Sequence, residues 1–344
     1  MPPKRFRAVT AKTLPVGVTM GDAAGIGPEI IVKMWADRLP EPAVVYGDSG
    51  VLDRTVQVLG QAGRLRVRTI EHPEQVSGAQ GVLEVVSRRP PLPHELPPGR
   101  LSADAGRAAY DYVVQAIDDA QRGALRAIVT APLNKKAMEA GGIDFPGHTE
   151  ILAQRTNTRD YAMMLANSEL RVILVTIHEP LGRVPALITQ ERELVTIRLA
   201  ARACMMAGVS APRVAVAGLN PHAGEQGRFG HEEIEIIAPA IAAARREGID
   251  ASGPYPGDTI FMRARKGEFD IVVAQYHDQG LIPVKYLGVD EGVNITVGLP
   301  FVRTSVDHGT AFDIAGKGIA DPASLRAAFD AALSMSAAQA LTCE

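Results

Sequence analysis

The chain has 344 residues, of which 46% are hydrophobic and 22% charged, and its formal net charge at pH 7 is −3. This length is sufficient for two domains or lobes with a hydrophobic core. The small net charge provides no general attraction to nucleic acid or to an anionic membrane, so any anion binding has to be local. No apolar stretch approaches the ~20 residues of a membrane span. The two cysteines, Cys204 and Cys343, provide no disulfide framework, which suits a reducing cytoplasm.

In the first half of the chain, short apolar runs alternate with helical patterns. The basic residues 1–13 are interpreted as a disordered tail. A predicted strand over 14–20 leads through the glycine-rich turn 21–29 into a helix with Pro28 at its first position. The further predictions here are a strand over 43–48, a helix over 49–59, an irregular proline-rich connection over 71–100, a helix capped by Ser102, and a strand over 127–130.

The second half continues the alternation of strands and helices. A helix is predicted over 192–206, and another over 232–247 that Pro239 interrupts. The turn-rich loop 253–259 offers a carboxylate, Asp258. Strands that alternate with amphipathic helices predict an α/β fold with a largely parallel sheet.

Three apolar runs, each typical of a strand buried on both faces, lead to a histidine. They cover 172–177, 214–221 and 270–276 and are followed by His178, His222 and His277. Ligands bind outside the carboxyl ends of strands in open α/β sheets, so these imidazoles are placed to converge on one point. Three such ligands leave open positions on Zn²⁺ or a similar ion. The alternative is that each is a hydrogen-bonded structural histidine, since the spacing matches no local metal motif.

Two other segments carry weaker signals. The turn 21–29 suggests phosphate or dinucleotide binding, but it lacks the G-x-G-x-x-G fingerprint, and tight turns into helices require glycine anyway. The loop 145–150 concentrates polar residues, among them His148 and Thr149. Here the competing interpretation is that Thr149 simply caps the following helix.

Six longer segments identify a family. They are GDAAGIGPE at 21–29, TAPLNK at 130–135, PGHTE at 146–150, NPHAGE at 220–225, YHDQG at 276–280 and GLPFVRTSVDHGT at 298–310. Over roughly residues 14–335 the chain resembles the 4-hydroxythreonine-4-phosphate dehydrogenase family of pyridoxal phosphate biosynthesis. At 23–24 it has Ala-Ala where the family often has proline second, which affects only the rigidity of that turn.

The resemblance implies a site at a homodimer interface. A divalent metal, zinc or alternatively magnesium, cobalt or manganese, would be held by histidines from two subunits. The implied ligands are His178, His222 and His277. The implied substrate-binding residues are His148 and Thr149, together with Lys285, Asn294 and Arg303 for the phosphate and carboxylate end of the substrate. Asp258 and Asp278 match carboxylates close to the chemistry.

A second resemblance lies in DHGTAFDIAGKGIADP at 307–322. This segment is similar to the adenosine-binding loop of the isopropylmalate and isocitrate dehydrogenases, which bind NAD without a Rossmann glycine fingerprint. It makes His308, Gly309 and Asp313 the candidate cofactor-binding residues. The alternative is a glycine-rich turn that opens a C-terminal helix.

The implied architecture is isopropylmalate-dehydrogenase-like. Two α/β lobes, 14–130 plus 305–340 and 131–304, would surround a largely parallel sheet, with an active-site cleft between them and with the metal and substrate site in the second lobe.

The implied reaction is a metal-dependent, NAD-linked oxidation of 4-phosphohydroxy-L-threonine with decarboxylation to 3-amino-2-oxopropyl phosphate. Asp278 or Asp258 is the candidate base. The opening 19–22 and the segments 159–164 and 267–270 resemble instead the branch that oxidises 4-phospho-D-threonate or 4-phospho-D-erythronate in acid-sugar catabolism. A third branch acts on the dihydrodiol of terephthalate, but the implied anion-binding set argues for a phosphorylated substrate.

Two alternatives come from other functional classes. A metal-dependent hydrolase would use the three histidines and an activated water, but it would not need the loop 307–322. A phosphate-ligand sensor would bind without turnover. For the main interpretation, the expected partner is a phosphorylated small-molecule substrate, with no nucleic acid or membrane partner, and the expected location is the cytoplasm.

Overall fold

A computed structural model describes residues 14–288 and 292–341. The predicted tail 1–13 and Cys343 lie outside the described residues. The described residues form twelve strands, β1 (Val16–Thr19), β2 (Ala43–Tyr46), β3 (Arg66–Ile70), β4 (Val82–Val86), β5 (Ala127–Thr130), β6 (Ala162–Ala166), β7 (Arg171–Leu174), β8 (Val214–Ala217), β9 (Ala251–Tyr255), β10 (Ile271–Ala274), β11 (Val293–Val297) and β12 (Val302–Val306).

Eleven α-helices pack around these strands within the same described ranges. They are α1 (Gly27–Ala36), α2 (Ser49–Val58), α3 (Ala103–Gln121), α4 (Lys135–Ala140), α5 (His148–Arg155), α6 (Val184–Leu187), α7 (Gln190–Met206), α8 (Ala238–Arg246), α9 (Ile260–Arg265), α10 (His277–Leu287) and α11 (Ala323–Leu341). A π-helical turn, Glu233–Ile237, runs directly into α8. None of the described helices has the length and apolar character needed to cross a membrane.

All twelve strands belong to one sheet. Their order is β3-β4-β2-β1-β5-β12-β11-β6-β7-β10-β8-β9. Three pairings in the middle, β12–β11, β11–β6 and β6–β7, are antiparallel, and the others are parallel. The predicted α/β class with a largely parallel sheet is therefore confirmed.

The core follows from strands that are apolar on both faces. Every residue of β1, β2, β5, β8 and β10 is buried, as expected where helices cover both sides of a parallel sheet. Tyr46, Tyr112 and Phe329 are among the largest fully buried side chains. A second, smaller cluster packs around Leu174, Ile260 and Val284. The division into two lobes stays a prediction, and its boundary at 304/305 runs through β12.

Several local predictions hold. Ser102 caps α3 with its hydroxyl, which accepts a hydrogen bond from the Ala105 N–H at 3.3 Å. The strand predicted over 127–130 is β5, and the helix predicted over 49–59 is α2. Pro28 is the second residue of α1, one position later than predicted.

Two local predictions, both of irregular structure in proline-containing segments, were wrong. The connection 71–100 contains β4, which pairs with β2 and β3. The loop 253–259 begins inside β9, an edge strand, where Pro254 removes no hydrogen bond from the sheet interior. The helix predicted over 232–247 consists of the π-helical turn Glu233–Ile237 followed by α8, so its α-helical pattern is broken just before Pro239, the second residue of α8.

Candidate active site

The three histidine-bearing runs are neighbours in the sheet, in the order β7-β10-β8, with parallel pairing. His178 follows β7, His277 is the first residue of α10, and His222 lies in the turn after β8. The ring centroids of His178 and His277 are 5.7 Å apart. Two imidazoles that bind one ion through nitrogens about 2.1 Å from it have centroids roughly 5–6 Å apart, so this pair fits a shared metal.

The surroundings of His178 favour its neutral, metal-binding form. Partial burial lowers the pKa of His178, and electrostatic interactions with Lys135 and His277 lower it further. The Asp278 carboxylate lies 2.7 Å from Nδ1 of His277. Such a carboxylate fixes the ring orientation and leaves the other nitrogen available to a ligand.

His222 follows the neighbouring strand β8. It lines a cavity of about 640 Å³ together with Asp258 and Asp278. Within residues 14–288 and 292–341, no three His, Cys, Asp or Glu side chains assemble into a group that could hold a metal. One chain therefore supplies imidazoles of the right chemistry but not a complete ligand set.

Arg303 is a buried cation without a carboxylate hydrogen-bonded to it in the described part of the chain. It is 3% exposed, and its guanidinium donates to Thr296 Oγ1 at 2.9 Å and Thr130 Oγ1 at 2.6 Å. Its Nε has no hydrogen-bond partner among residues 14–288 and 292–341. Burial lowers the pKa of Arg303 to about 9, an effect that the negative charge of Glu150 opposes. This is the arrangement that an anionic ligand would complete.

The neighbouring polar groups are also unsatisfied. The Nε2 atom of His148 and the Oδ1 atom of Asn294 are buried and have no hydrogen-bond partner in the part of the chain that the structure describes. Burial holds the pKa of His148 well below its usual value, and the charge of Arg303 adds to this. Buried polar atoms normally have partners, so these positions are available to a polar ligand.

Thr149 does not cap a helix. The N-cap of α5 is Gly147, and no side chain bonds to the helix N-terminus. The Thr149 hydroxyl lies instead 3.5 Å from the hydroxyl of Thr296. Thr296 thus connects Thr149 to Arg303, two of the predicted substrate-binding residues.

Lys285 differs from Arg303 because it has an anionic partner. Its Nζ lies 2.9 Å from Oδ2 of Asp307, and its side chain is 39% exposed. The ion pair ties α10 to the start of the loop 307–322.

The predicted cofactor loop is held by α1. Glu29 accepts hydrogen bonds from the N–H groups of Gly318 (3.2 Å) and Ala320 (2.7 Å). Lys33 donates to the carbonyl oxygens of the same two residues at 2.9 and 2.6 Å. These contacts fix the C-terminal part of the loop by its backbone.

The part of the loop that carries the predicted cofactor residues leaves space and unused hydrogen-bonding atoms. His308 Nε2 is buried without a partner. A Cβ added at Gly309 would meet no atom within 4 Å, and Asp313 is exposed. Packing within the chain does not explain a glycine at 309, whereas the close approach of a ligand would.

Sequence reasoning missed several residues of the site. Thr130 and Thr296 bind Arg303, while Lys135 and Glu150 place charge near His178. Asp22 has one carboxylate oxygen without a partner, and burial raises its pKa to about 6. All except Thr296 lie in the segments 21–29, 130–135 and 146–150, which carry the family resemblance. Their position inside those segments is the signal that the sequence offers.

Comparison with known proteins identifies the family. The chain matches the family described as pyridoxal phosphate biosynthetic protein PdxA over residues 39–332. It is 56% identical to the 4-hydroxythreonine-4-phosphate dehydrogenase of Beijerinckia indica, over 92% of this chain and 93% of that protein. It is 51% identical to the D-threonate 4-phosphate dehydrogenase of Cupriavidus necator, over 90% and 93% respectively.

A solved structure agrees with these sequence relatives. The crystal structure of 4-hydroxythreonine-4-phosphate dehydrogenase from Klebsiella pneumoniae superposes with a TM-score of 0.86 at 46% identity, and the match covers 94% of this chain and all of that one. The resemblance drawn from the sequence segments is confirmed.

Proposed function

The chain belongs to the family of the pyridoxal phosphate biosynthetic protein PdxA, and from that membership we propose that it oxidises a phosphorylated four-carbon hydroxy acid. The main candidate is 4-phosphohydroxy-L-threonine, with decarboxylation to 3-amino-2-oxopropyl phosphate. The observation that carries the proposal is Arg303, a buried guanidinium with only hydroxyl partners, which suits the anionic end of such a substrate.

The second candidate substrate is D-threonate 4-phosphate, because a relative with that activity in its name is 51% identical. The two substrates differ by an amine in place of a hydroxyl. One polar contact that is left unpaired by the wrong substrate is enough to separate them.

The proposed cofactors are NAD and a divalent metal such as zinc. When bound, the metal polarises the substrate hydroxyl and NAD accepts the hydride. His178, His222 and His277 would hold the ion, and His308, Gly309 and Asp313 would contact the dinucleotide.

Side chains of the protein would bind and orient the substrate and accept its proton. Arg303 and Asn294 bind and orient the anionic end of the substrate, with His148 and Thr149 beside them and Lys285 as a further cation. Asp258 and Asp278 line the cavity that contains His222, and one of them takes the proton from the substrate hydroxyl. Asp278 also orients the His277 ring through its 2.7 Å contact.

The active enzyme is proposed to be a cytoplasmic homodimer in which His222 of one subunit and His277 of the other bind the same ion. The incomplete ligand set within one chain supports this. Ile282 and Tyr286, which are 63% and 89% exposed, line the cavity beside His222. Large apolar side chains in such a position are typical of a covered interface.

The test is NADH formation by purified, zinc-supplemented protein with each of the two substrates offered separately. Turnover of the amino substrate would support the main proposal, and turnover of the threonate alone would establish the second. His222→Ala is expected to abolish activity, whereas His72→Ala, at an exposed histidine after the edge strand β3, is expected to leave it unchanged. No turnover of either substrate, or an active His222→Ala variant, would contradict the proposal.

The same preparation separates the alternatives from other classes. Metal binding with hydrolysis but no NAD binding would indicate a hydrolase. Binding of both metal and phosphorylated ligand without any turnover would indicate a sensor.

A further inference from the structure

The turn that carries His222 has an unusual backbone. Five consecutive residues, His222 to Gln226, have φ angles between 42° and 77°. Only one of them, Gly224, is a glycine, and left-handed geometry brings the Cβ of other L-residues too close to the following carbonyl oxygen. Local preference therefore opposes this conformation, and contacts from outside the turn have to maintain it.

Glu233 binds Asn220, two residues before the turn. Its carboxylate accepts hydrogen bonds from the Asn220 backbone N–H at 2.7 Å and from Asn220 Nδ2 at 3.0 Å. The neighbouring Glu232 accepts a second bond from the same amide at 2.7 Å. Glu233 is only 3% exposed, although these donors are neutral. A buried carboxylate with neutral partners is energetically costly, which indicates that its presence serves more than stability.

The turn also packs directly against this carboxylate. A Cβ added to Gly224 would lie 2.6 Å from Glu233 Oε2, and one added to Gly218 would lie 3.1 Å from Oε1. Glu233 itself begins the π-helical turn that precedes α8. Such π-turns are frequent at functional sites, and this one directs Glu233 at the base of the His222 turn.

We propose that Glu233 is a positioning residue, whose carboxylate holds the turn 222–226 in the one conformation that presents His222 to its cavity. The inference rests on the proposed role of His222 as a metal ligand. An imidazole that is held in place before the metal arrives loses less conformational freedom on binding, so the metal binds more tightly.

The first test measures zinc affinity by competition with a chromogenic chelator. Glu233→Ala is expected to weaken zinc binding by about tenfold to a hundredfold, as outer contacts to metal ligands typically do. The zinc affinity of Glu233→Gln should lie between those of the wild type and Glu233→Ala. The glutamine keeps one oxygen that can accept from the Asn220 N–H, but its NH₂ group faces the Asn220 side-chain NH₂ group. The matched control is Glu84→Gln, which alters an equally buried carboxylate that binds Arg68 and Ser77 at the other end of the sheet.

The second test does not involve the metal. The N–H group of Ala223 donates to the carbonyl oxygen of Asn220, and those of Arg228 and Phe229 donate to the carbonyl oxygens of Glu225 and Gly224. The experiment uses protein prepared without metal. Hydrogen exchange of these amides is expected to accelerate in Glu233→Ala and Glu233→Gln but not in Glu84→Gln. Should the alanine variant fail to fold, the glutamine variant keeps the volume and decides both tests.

The outcomes separate this inference from the proposed function. Wild-type zinc affinity in the Glu233 variants would overturn the positioning role, even if exchange were faster, since the turn would then be only structural. Unchanged exchange would overturn it as well. Wild-type zinc affinity in His222→Ala would instead refute the ligand assignment on which the proposed function depends.

Discussion

The guanidinium of Arg303 is buried between β5 and β11 with two threonine hydroxyls as partners. Neither hydroxyl carries charge, so the cost of removing the cation from water is not offset by an ion pair. An anion bound to Arg303 would provide that offset. The same residue is therefore expected to reduce the stability of the ligand-free protein and to increase that of the liganded one.

Inorganic phosphate should raise the melting temperature of the wild-type protein much more than that of Arg303→Met. Binding to the folded state alone stabilises it by about 2.7 kcal/mol at a concentration 100 times Kd. Without phosphate, Arg303→Met should be at least as stable as the wild type, because an apolar side chain replaces an unpaired buried charge. Thermal unfolding with and without phosphate provides the measurement.

The control is Arg213→Met, which removes an exposed arginine that is paired with Asp270. This variant should respond to phosphate as the wild type does. Equal stabilisation of Arg303→Met and the wild type would show that the anion binds elsewhere.

Glu193 on α7 is fully buried, and burial raises the pKa of its carboxyl to about 8. The folded state therefore keeps the proton over a range in which the unfolded chain, with an ordinary carboxyl pKa, has lost it. The stability that this group contributes is fully present below the unfolded pKa. It is lost as pH rises toward 8.

Between pH 6 and pH 8 the free energy of unfolding of Glu193→Gln is therefore expected to fall by roughly 2 kcal/mol less than that of the wild type. Urea unfolding at several pH values measures the difference. Glu191→Gln, an exposed carboxylate on the same helix, should follow the wild-type curve. Parallel curves for wild type and Glu193→Gln would mean that Glu193 is ionised in the folded protein.

At the scale of secondary structure, α1 is the element that fixes the loop 307–322. Glu29 and Lys33 lie one turn apart on α1, 3.0 Å from each other, and together bind both backbone polar groups of Gly318 and Ala320. The contacts reach the loop through its backbone, so they depend little on the side chains of the loop. A helix that follows the first strand thereby shapes a loop almost 300 residues later.

Glu29→Gln should raise the KM for NAD by roughly three- to tenfold while leaving kcat nearly unchanged, because a hydrogen bond to a charged group contributes about 1 kcal/mol more than a neutral one. Initial rates at saturating substrate, together with NADH binding followed by fluorescence, measure the effect. Asp53→Asn, at an exposed position on α2, is the matched control. An unchanged KM would show that the loop does not need α1 to bind the dinucleotide.

At the scale of the whole molecule, one chain does not assemble the three histidines. The rings of His178 and His277 are 5.7 Å apart, but within residues 14–288 and 292–341 the three histidines do not form a group that could hold a metal, although all three follow neighbouring strands. The exposed Ile282 and Tyr286 on α10 border the cavity that His222 lines. These features agree with a ligand set that two subunits complete.

Mixing two inactive variants tests the shared site. His222→Ala and His277→Ala homodimers should each be inactive, and co-refolding them should restore about a quarter of the wild-type activity. Half of the dimers would be mixed, and each mixed dimer would contain one intact site out of two. Mixing either variant with inactive protein of its own kind is the control. If no activity returns, His222 and His277 act within one subunit.

The sequence by itself determined the local structure and the place of the site in the fold. Runs of valine, isoleucine and alanine predicted β5, β8 and β10, and Ser102 marked the start of α3, because these preferences act within a few residues. The histidines after β7, β8 and β10 were expected at one edge of a parallel sheet, and the strand order places them there. The segment resemblances added the family.

Only the tertiary structure decided how the site residues are paired. Arg303 donates hydrogen bonds to Thr130, 173 residues away, and to Thr296 on a neighbouring strand. Among the described residues, no carboxylate is hydrogen-bonded to its charge. The turn at His222 adopts a conformation that its own residues disfavour, because Glu233 holds it from outside. Local sequence determines what a segment prefers, whereas hydrogen bonds and burial between distant segments decide which charge stays unpaired and which preference is overridden.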